Sequence, residues 1–276
     1  MAKKILFVSL VILFSVSCTK LEMALNWADT FALNQIEDYF DLDRAQEKQI
    51  KQDFRAALHQ VQEKDFPQLA DALSRMADSV EKNELTIEKS HQYYNEVEAL
   101  IKGSVAKFEP MGQKLVSDQA RSNFDSFDQE FSKKLGKDQK KFQSLEAAQK
   151  DFKKRFDKWV DETVENLTPE QEKSFSQWQQ KNQNPVLLRL ESRKAVHEKF
   201  KSVRQDEKQR TEMVKTFFFN WDSLQTVDYL KARKAYQDSL KNWAFTQLTQ
   251  LNEKQRKNLV ENLRKRSGEF ATLAKK

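Results

Sequence analysis

The chain has 276 residues, 33% of them charged, with 48 Lys and Arg against 42 Asp and Glu and a formal net charge of +6. It holds only four Gly, four Pro and one Cys, against average usage of roughly 7 and 5 per cent for Gly and Pro. Hairpin-rich β folds, Gly-rich phosphate loops and intramolecular disulfides therefore lack raw material, and so mild and mixed a charge argues against nucleic acid as a partner.

The N-terminus reads as an export signal. Met1-Ala2-Lys3-Lys4 is a positive head, Ile5 to Phe14 is apolar apart from Ser9, and Ser15-Val16-Ser17 is a small-residue junction before Cys18, the only cysteine. The apolar run is about half of the roughly 20 residues that a spanning helix needs. Ser-Val-Ser-Cys resembles a bacterial lipobox, with Ser15 where that pattern usually has Leu. The resemblance implies cleavage before Cys18, lipid on its thiol and an acylated amino terminus. Thr19 stands where an inner-membrane retention signal would have Asp, which implies an anchor in the outer membrane, facing the periplasm. Inner-membrane anchoring is one alternative; ordinary secretory cleavage at the same small residues, giving a soluble periplasmic protein, is another. The expected layout is a signal peptide at 1–17, a lipidated terminus and tether at 18–24, and an all-helical domain at 25–276.

From Leu21 to Phe40, Leu21, Leu25, Ala28, Ala32, Ile36 and Tyr39 recur at helical spacing and line one face. Asp41 and Asp43 then flank Leu42. They read as helix caps and not as ion ligands, because the later ligands and the glycine of a calcium loop are missing. Gln46, Ile50, Phe54, Ala57 and Val61 predict the next helix, and Pro67 opens another carrying Leu69, Leu73, Met76 and Val80. A fourth runs from Leu85-Thr86 through Tyr94, Val97, Ile101 and Phe108 and closes at Pro110; Gly103 inside it suggests a close helix crossing. Beyond Gly112, Val116 to Leu135 form a stripe that breaks at Gly136 and resumes from Phe142 to Thr163. So many Phe at helical spacing read as core.

Leu167-Thr168-Pro169-Glu170-Gln171 is a capping box with Pro at the first helical position. The same device recurs at Asp43 with Gln46 and at Asn252 with Gln255. Asn184-Pro185 interrupts the pattern and marks a candidate lobe boundary at 182–186. Leu187 to Val203 resume a helical face that continues through Met213 into Phe217-Phe218-Phe219-Asn220-Trp221, an apolar knot that is either buried, the expected case, or an exposed partner surface. Val227 to Leu248 and Leu259 to Leu273 supply the last helices. The fold expected is an all-α antiparallel helical bundle.

Asn26-Trp27, then Glu37 to Leu42 with Gln46, and the closing Leu251 to Arg256 with Leu259 resemble a family of Gram-negative lipoproteins known only as a domain of unknown function. The resemblance implies a lipid-anchored helical protein and no known activity. Separately, Leu167-Thr168-x-x-Gln171 resembles the motif of Spy-like periplasmic chaperones; the boxes at Asp43 and Asn252 depart from it at the Thr position.

Signals for chemistry are sparse. His59, His91 and His197 have no metal-ligand spacing, and no nucleophile elbow or P-loop occurs, so neither a catalytic residue, a metal nor a cofactor is expected. Residues 133–158 are unusually basic: Lys133, Lys134, Lys137, Lys140, Lys141, Lys150, Lys153, Lys154, Arg155 and Lys158 stand against Asp138, Glu146, Asp151 and Asp157. Such a segment is either a solvated face or a contact for anionic lipid headgroups or an acidic envelope partner. The expectation is a periplasm-facing, lipid-anchored protein that acts by binding in envelope assembly or maintenance, in a chaperone-like way. The alternative is an envelope hydrolase with an unrecognised carboxylate site.

Overall fold

The computed structural model describes residue 23 and residues 25–117 and 121–275. Cys18, the signal segment and most of the expected tether lie outside them. Helices follow one another as α1 (Ala28–Glu37), α2 (Arg44–Lys64), α3 (Phe66–Glu81), α4 (Ile87–Ala106), α5 (Glu109–Ser117), α6 (Arg121–Lys141), α7 (Leu145–Thr163), α8 (Pro169–Lys181), α9 (Val186–Val203), α10 (Glu207–Phe219), α11 (Val227–Leu248) and α12 (Glu253–Leu273), with a 3₁₀ turn at Trp221–Leu224. The fold is all-α, with no strand among the described residues.

The closest helix pair joins distant parts of the chain, α3 and α12. Ala70 and Ala77, seven residues apart, give α3 a low, buried face, which lets Leu259, Leu263 and Phe270 of α12 approach its backbone. Phe66 and Phe270 meet edge to face at 5.0 Å, and Ser267 Oγ donates to the Ala70 carbonyl at 2.7 Å. The same core continues through aromatic side chains of α7, α8 and α11. Phe156 and Phe175 stack with centroids 3.9 Å apart, while Trp178 Nε1 donates to Ser239 Oγ at 2.9 Å and Trp243 Nε1 to Ser174 Oγ at 3.0 Å. Each buried indole thus keeps a partner for its N–H. Two smaller apolar clusters complete the interior. One sets Leu135, Phe142 and Ala148 against Val186 and Leu190, so residues on both sides of the 182–186 link pack together. The other joins Tyr39, Phe40, Phe124 and Phe200.

Several helix boundaries differ from expectation. Pro110 does not close α4; it stands in the first turn of α5, where its missing N–H costs nothing. Gly136 lies inside α6, and the break falls at 142–144 instead. The helix expected through Val203 and Met213 ends at Val203 and restarts at Glu207, where Asp206 caps α10 by accepting Gln209 N–H at 3.0 Å. Gly103 is exposed and has no neighbour within 4 Å of a Cβ position; the close crossing is at Gly112, where a Cβ would lie 2.7 Å from Phe218 Cε2. The Phe217–Trp221 knot is only half-buried, and Phe219 is 61% exposed. Phe218 spends its ring on the Gly112 backbone, and Phe217 stacks edge to face on Trp221 at 4.7 Å, which leaves no cover for Phe219.

Candidate functional site: the basic α6–α7 segment

The basic segment folds as two successive helices, α6 and α7, joined by a short turn at 142–144, and each packs on α9. Phe142 is buried in that turn, and Ser144 caps α7 by accepting Ala147 N–H at 3.1 Å. Because Leu135, Phe142 and Ala148 turn toward α9, helical periodicity sends the lysines outward. Lys133, Lys137, Lys140 and Lys141 on α6 and Lys150, Lys153, Lys154, Arg155 and Lys158 on α7 are exposed.

Part of this charge is answered locally. Lys133 pairs with Glu130 at 2.8 Å, Lys141 and Arg155 share Asp151 at 2.7 and 2.8 Å, Lys153 pairs with Asp157 at 2.8 Å and Lys158 with Glu162 at 3.7 Å. Lys134, half-buried, reaches Asp38 at 2.7 Å and lies 4.0 Å from the centre of the Tyr39 ring. Burial pushes the Asp151 carboxyl up, but hydrogen bonding from Lys141 and the charge of Arg155 outweigh it and hold the group below the ordinary carboxylate value. The Lys134 hydrogen bond lowers Asp38, and Lys133 and Lys137 add to the pull. Lys137, Lys140, Lys150 and Lys154 have no carboxylate at salt-bridge distance among the described residues. They are exposed cations spread over both helices of the basic segment. Next to it, Lys153, Asp157, Asp161, Asn166, Leu167 and Glu172 line a groove of about 180 Å³ that leads to the capping box of α8.

All three boxes have both of their hydrogen bonds. In the exposed box of α2, Gln46 N–H donates to Asp43 Oδ1 at 2.9 Å and Asp43 N–H to Gln46 Oε1 at 3.0 Å. Thr168 with Gln171 and Asn252 with Gln255 repeat the arrangement at α8 and α12. These two boxes also meet: Gln255 Nε2 donates to Gln171 Oε1 at 2.8 Å and to the Asn166 carbonyl at 2.6 Å. Both glutamines are buried. Two helix starts 84 residues apart are thus joined through one buried polar contact. The α2 box stays apart from it.

Other polar groups were not legible as partners. His197 is buried, accepts or donates with Asp128 at 2.8 Å and stacks on Phe131 with centroids 4.2 Å apart; Arg204 also binds Asp128 and reaches Asp125 at 3.1 Å. The pair is 69 residues apart in sequence, and no local pattern announces it. Arg233 of α11 pairs with Asp222 at 2.8 Å, yet its Nε and Nη1, and Nε and Nη2 of Arg189, are buried with no hydrogen-bond partner. Burial lowers the Arg189 pKa. No group of three metal-ligating side chains occurs among the described residues, and no described helix is long and apolar enough to cross a membrane.

The profile described as "Family of unknown function (DUF6279)" matches residues 38–230. The match includes the basic segment and the boxes of α2 and α8 and stops short of the box of α12. No curated protein and no solved structure matches the chain. Since the matched region covers well over half of the sequence, the chain belongs to the family of unknown function DUF6279.

Proposed function

We propose that this protein is a lipid-anchored binding protein on the periplasmic side of the outer membrane, serving envelope assembly or maintenance by holding to an anionic lipid surface through the basic α6–α7 segment. The observation that carries this reading is the set Lys137, Lys140, Lys150 and Lys154, four exposed cations of α6 and α7 with no carboxylate at salt-bridge distance among the described residues. An ammonium near an anionic leaflet is worth about 1 kcal/mol, so a handful suffices to orient an already tethered protein. Exposed Leu187 and Leu188 on α9 and Phe219 at the end of α10 support a chaperone-like ability to hold apolar segments beside that surface.

Sedimentation with vesicles tests the reading. Residues 19–276, without the acylated cysteine, should associate with phosphatidylglycerol vesicles more strongly than with phosphatidylcholine. Lys137, Lys140, Lys150 and Lys154→Glu together should weaken the phosphatidylglycerol association by about tenfold or more, and salt should do the same because exposed charges are screened beyond about 8 Å at physiological ionic strength. Equal affinity for both lipids, or none for either at low salt, makes the basic segment a solvated face and sinks the proposal.

A further inference from the structure

The first turns of the described chain carry an apolar face that no described residue covers. Trp27 N–H donates to the Met23 carbonyl at 3.2 Å and Phe31 N–H to the Trp27 carbonyl at 2.8 Å, so these three side chains stand one above another, four residues apart, on one side of a helix. They are 53%, 64% and 67% exposed. The opposite side is fixed to α2: Leu33 is buried, and buried Asp29 takes a two-pronged ion pair from Arg55, Nε at 2.7 Å and Nη2 at 2.5 Å. That clamp sets the helix's rotation and directs the Met23, Trp27 and Phe31 face away from the body.

We infer that this face lies in the surface of the membrane that holds the anchor, so that α1 is an in-plane interfacial helix and not a mere tether. The inference rests on the lipid-anchored reading of Cys18. Met23 follows Cys18 by five peptide steps, a reach of at most roughly 18 Å even when fully extended, which holds the first turn of the helix close to the headgroup layer. The side chains suit that depth: Trp carries an amphipathic indole that concentrates at the membrane–water boundary, while Phe and Met supply apolar area to sink among the acyl chains. The same face changes character farther on. Asp38, seven residues after Phe31 and so on the same side, is hydrogen-bonded to Lys134, with Lys133 and Lys137 close enough to lower its pKa. An apolar stripe that runs into ammonium groups matches a bilayer met side-on, with acyl chains under the stripe and phosphates beside the lysines.

Tryptophan quenching decides it. The purified mature protein, with its amino terminus as the cell leaves it, is mixed with phosphatidylcholine vesicles brominated either near the headgroup or near the tail end of the acyl chains. The emission of Trp27 is taken as the difference between wild type and Trp27→Phe. The expected result is loss of most of that difference signal with shallow bromines and a smaller loss with deep ones. A Trp27 signal that keeps a water-exposed wavelength and full intensity with both lipids overturns the inference. The mass of the N-terminal peptide from the same preparation reports the anchor separately. An acylated Cys18 with unquenched Trp27 leaves the anchor and removes the interfacial helix; an unmodified Cys18 with quenched Trp27 does the reverse.

Discussion

Gly103 and Gly112 illustrate how far a single hydrogen atom's worth of space decides the effect of a residue. At Gly103, exposed in α4 with no neighbour within 4 Å of a Cβ position, alanine meets only the propensity term and should stabilise the protein by roughly 0.5–1 kcal/mol. At Gly112 the same methyl would stand 2.7 Å from Phe218 Cε2 and 3.2 Å from Val214 Cγ1. Overpacking of this kind costs roughly 1–3 kcal/mol and outweighs the helix gain. Urea unfolding of the two Gly→Ala variants should therefore move in opposite directions, and Phe218→Leu should recover the loss at Gly112. Shifts of one sign and size in both variants would show that α10 does not rest on α5 through this ring.

At the scale of elements, the capping boxes separate what is local from what is not. Thr, Asp or Asn followed by Gln three residues later is chemistry within one turn, and the boxes at Asp43, Thr168 and Asn252 each marked a helix start. That Gln171 and Gln255 meet was not legible, because a hydrogen bond across 84 residues leaves no trace in either local motif. The same limit hid His197 with Asp128. Pro110 misled for a different reason: proline stops one helix and starts the next with equal ease, and only the packing of α5 against α10 selects the second role. Gly112 and Gly136 read as breakers, yet tertiary contacts held both inside helices. In α1 the periodicity named an inward face correctly around Ile36, but apolar residues on the outer side as well made the stripe at Trp27 invisible as a separate surface. The lysines of α6 and α7 were legible as a basic segment; which of them are paired was not. A measurable consequence follows for the boxes. Gln255→Ala, which removes a cap and strands buried partners, should cost roughly 2–4 kcal/mol, while Gln46→Ala in the exposed box should cost roughly 0.5–1 kcal/mol. A double-mutant cycle of Gln171 and Gln255 should show coupling of roughly 0.5–3 kcal/mol; additivity would mean that the two boxes act independently.

Across the whole molecule, acid should be the condition that loosens the fold. Burial pushes the Asp29 carboxyl up, but the Thr30 amide and the Arg55 guanidinium outweigh it and hold the group below its ordinary value; Asp151 behaves alike under Lys141 and Arg155, and hydrogen bonds from Lys234 and Lys241 lower Asp238. A carboxyl whose folded pKa lies below its unfolded one stabilises above the unfolded value and loses that contribution as pH falls through the folded value. Thermal midpoints should therefore hold steady from neutrality to about pH 5 and decline below about pH 4. Asp29→Asn and Asp151→Asn together should flatten part of that decline, and an unchanged acid limb would assign the loss elsewhere.

The pairing of α3 with α12 has a consequence in time. A ribosome adds roughly 5–20 residues per second, and nearly 200 residues separate the end of α3 from that of α12, so the alanine face of α3 waits on the order of 10–40 s for its cover. No nascent fragment owns the finished core, and the last turn of the last helix completes it. For a polypeptide that crosses a membrane before it folds, as the reading of Cys18 requires, a core that closes only with its final residues keeps the chain threadable until the passage is over.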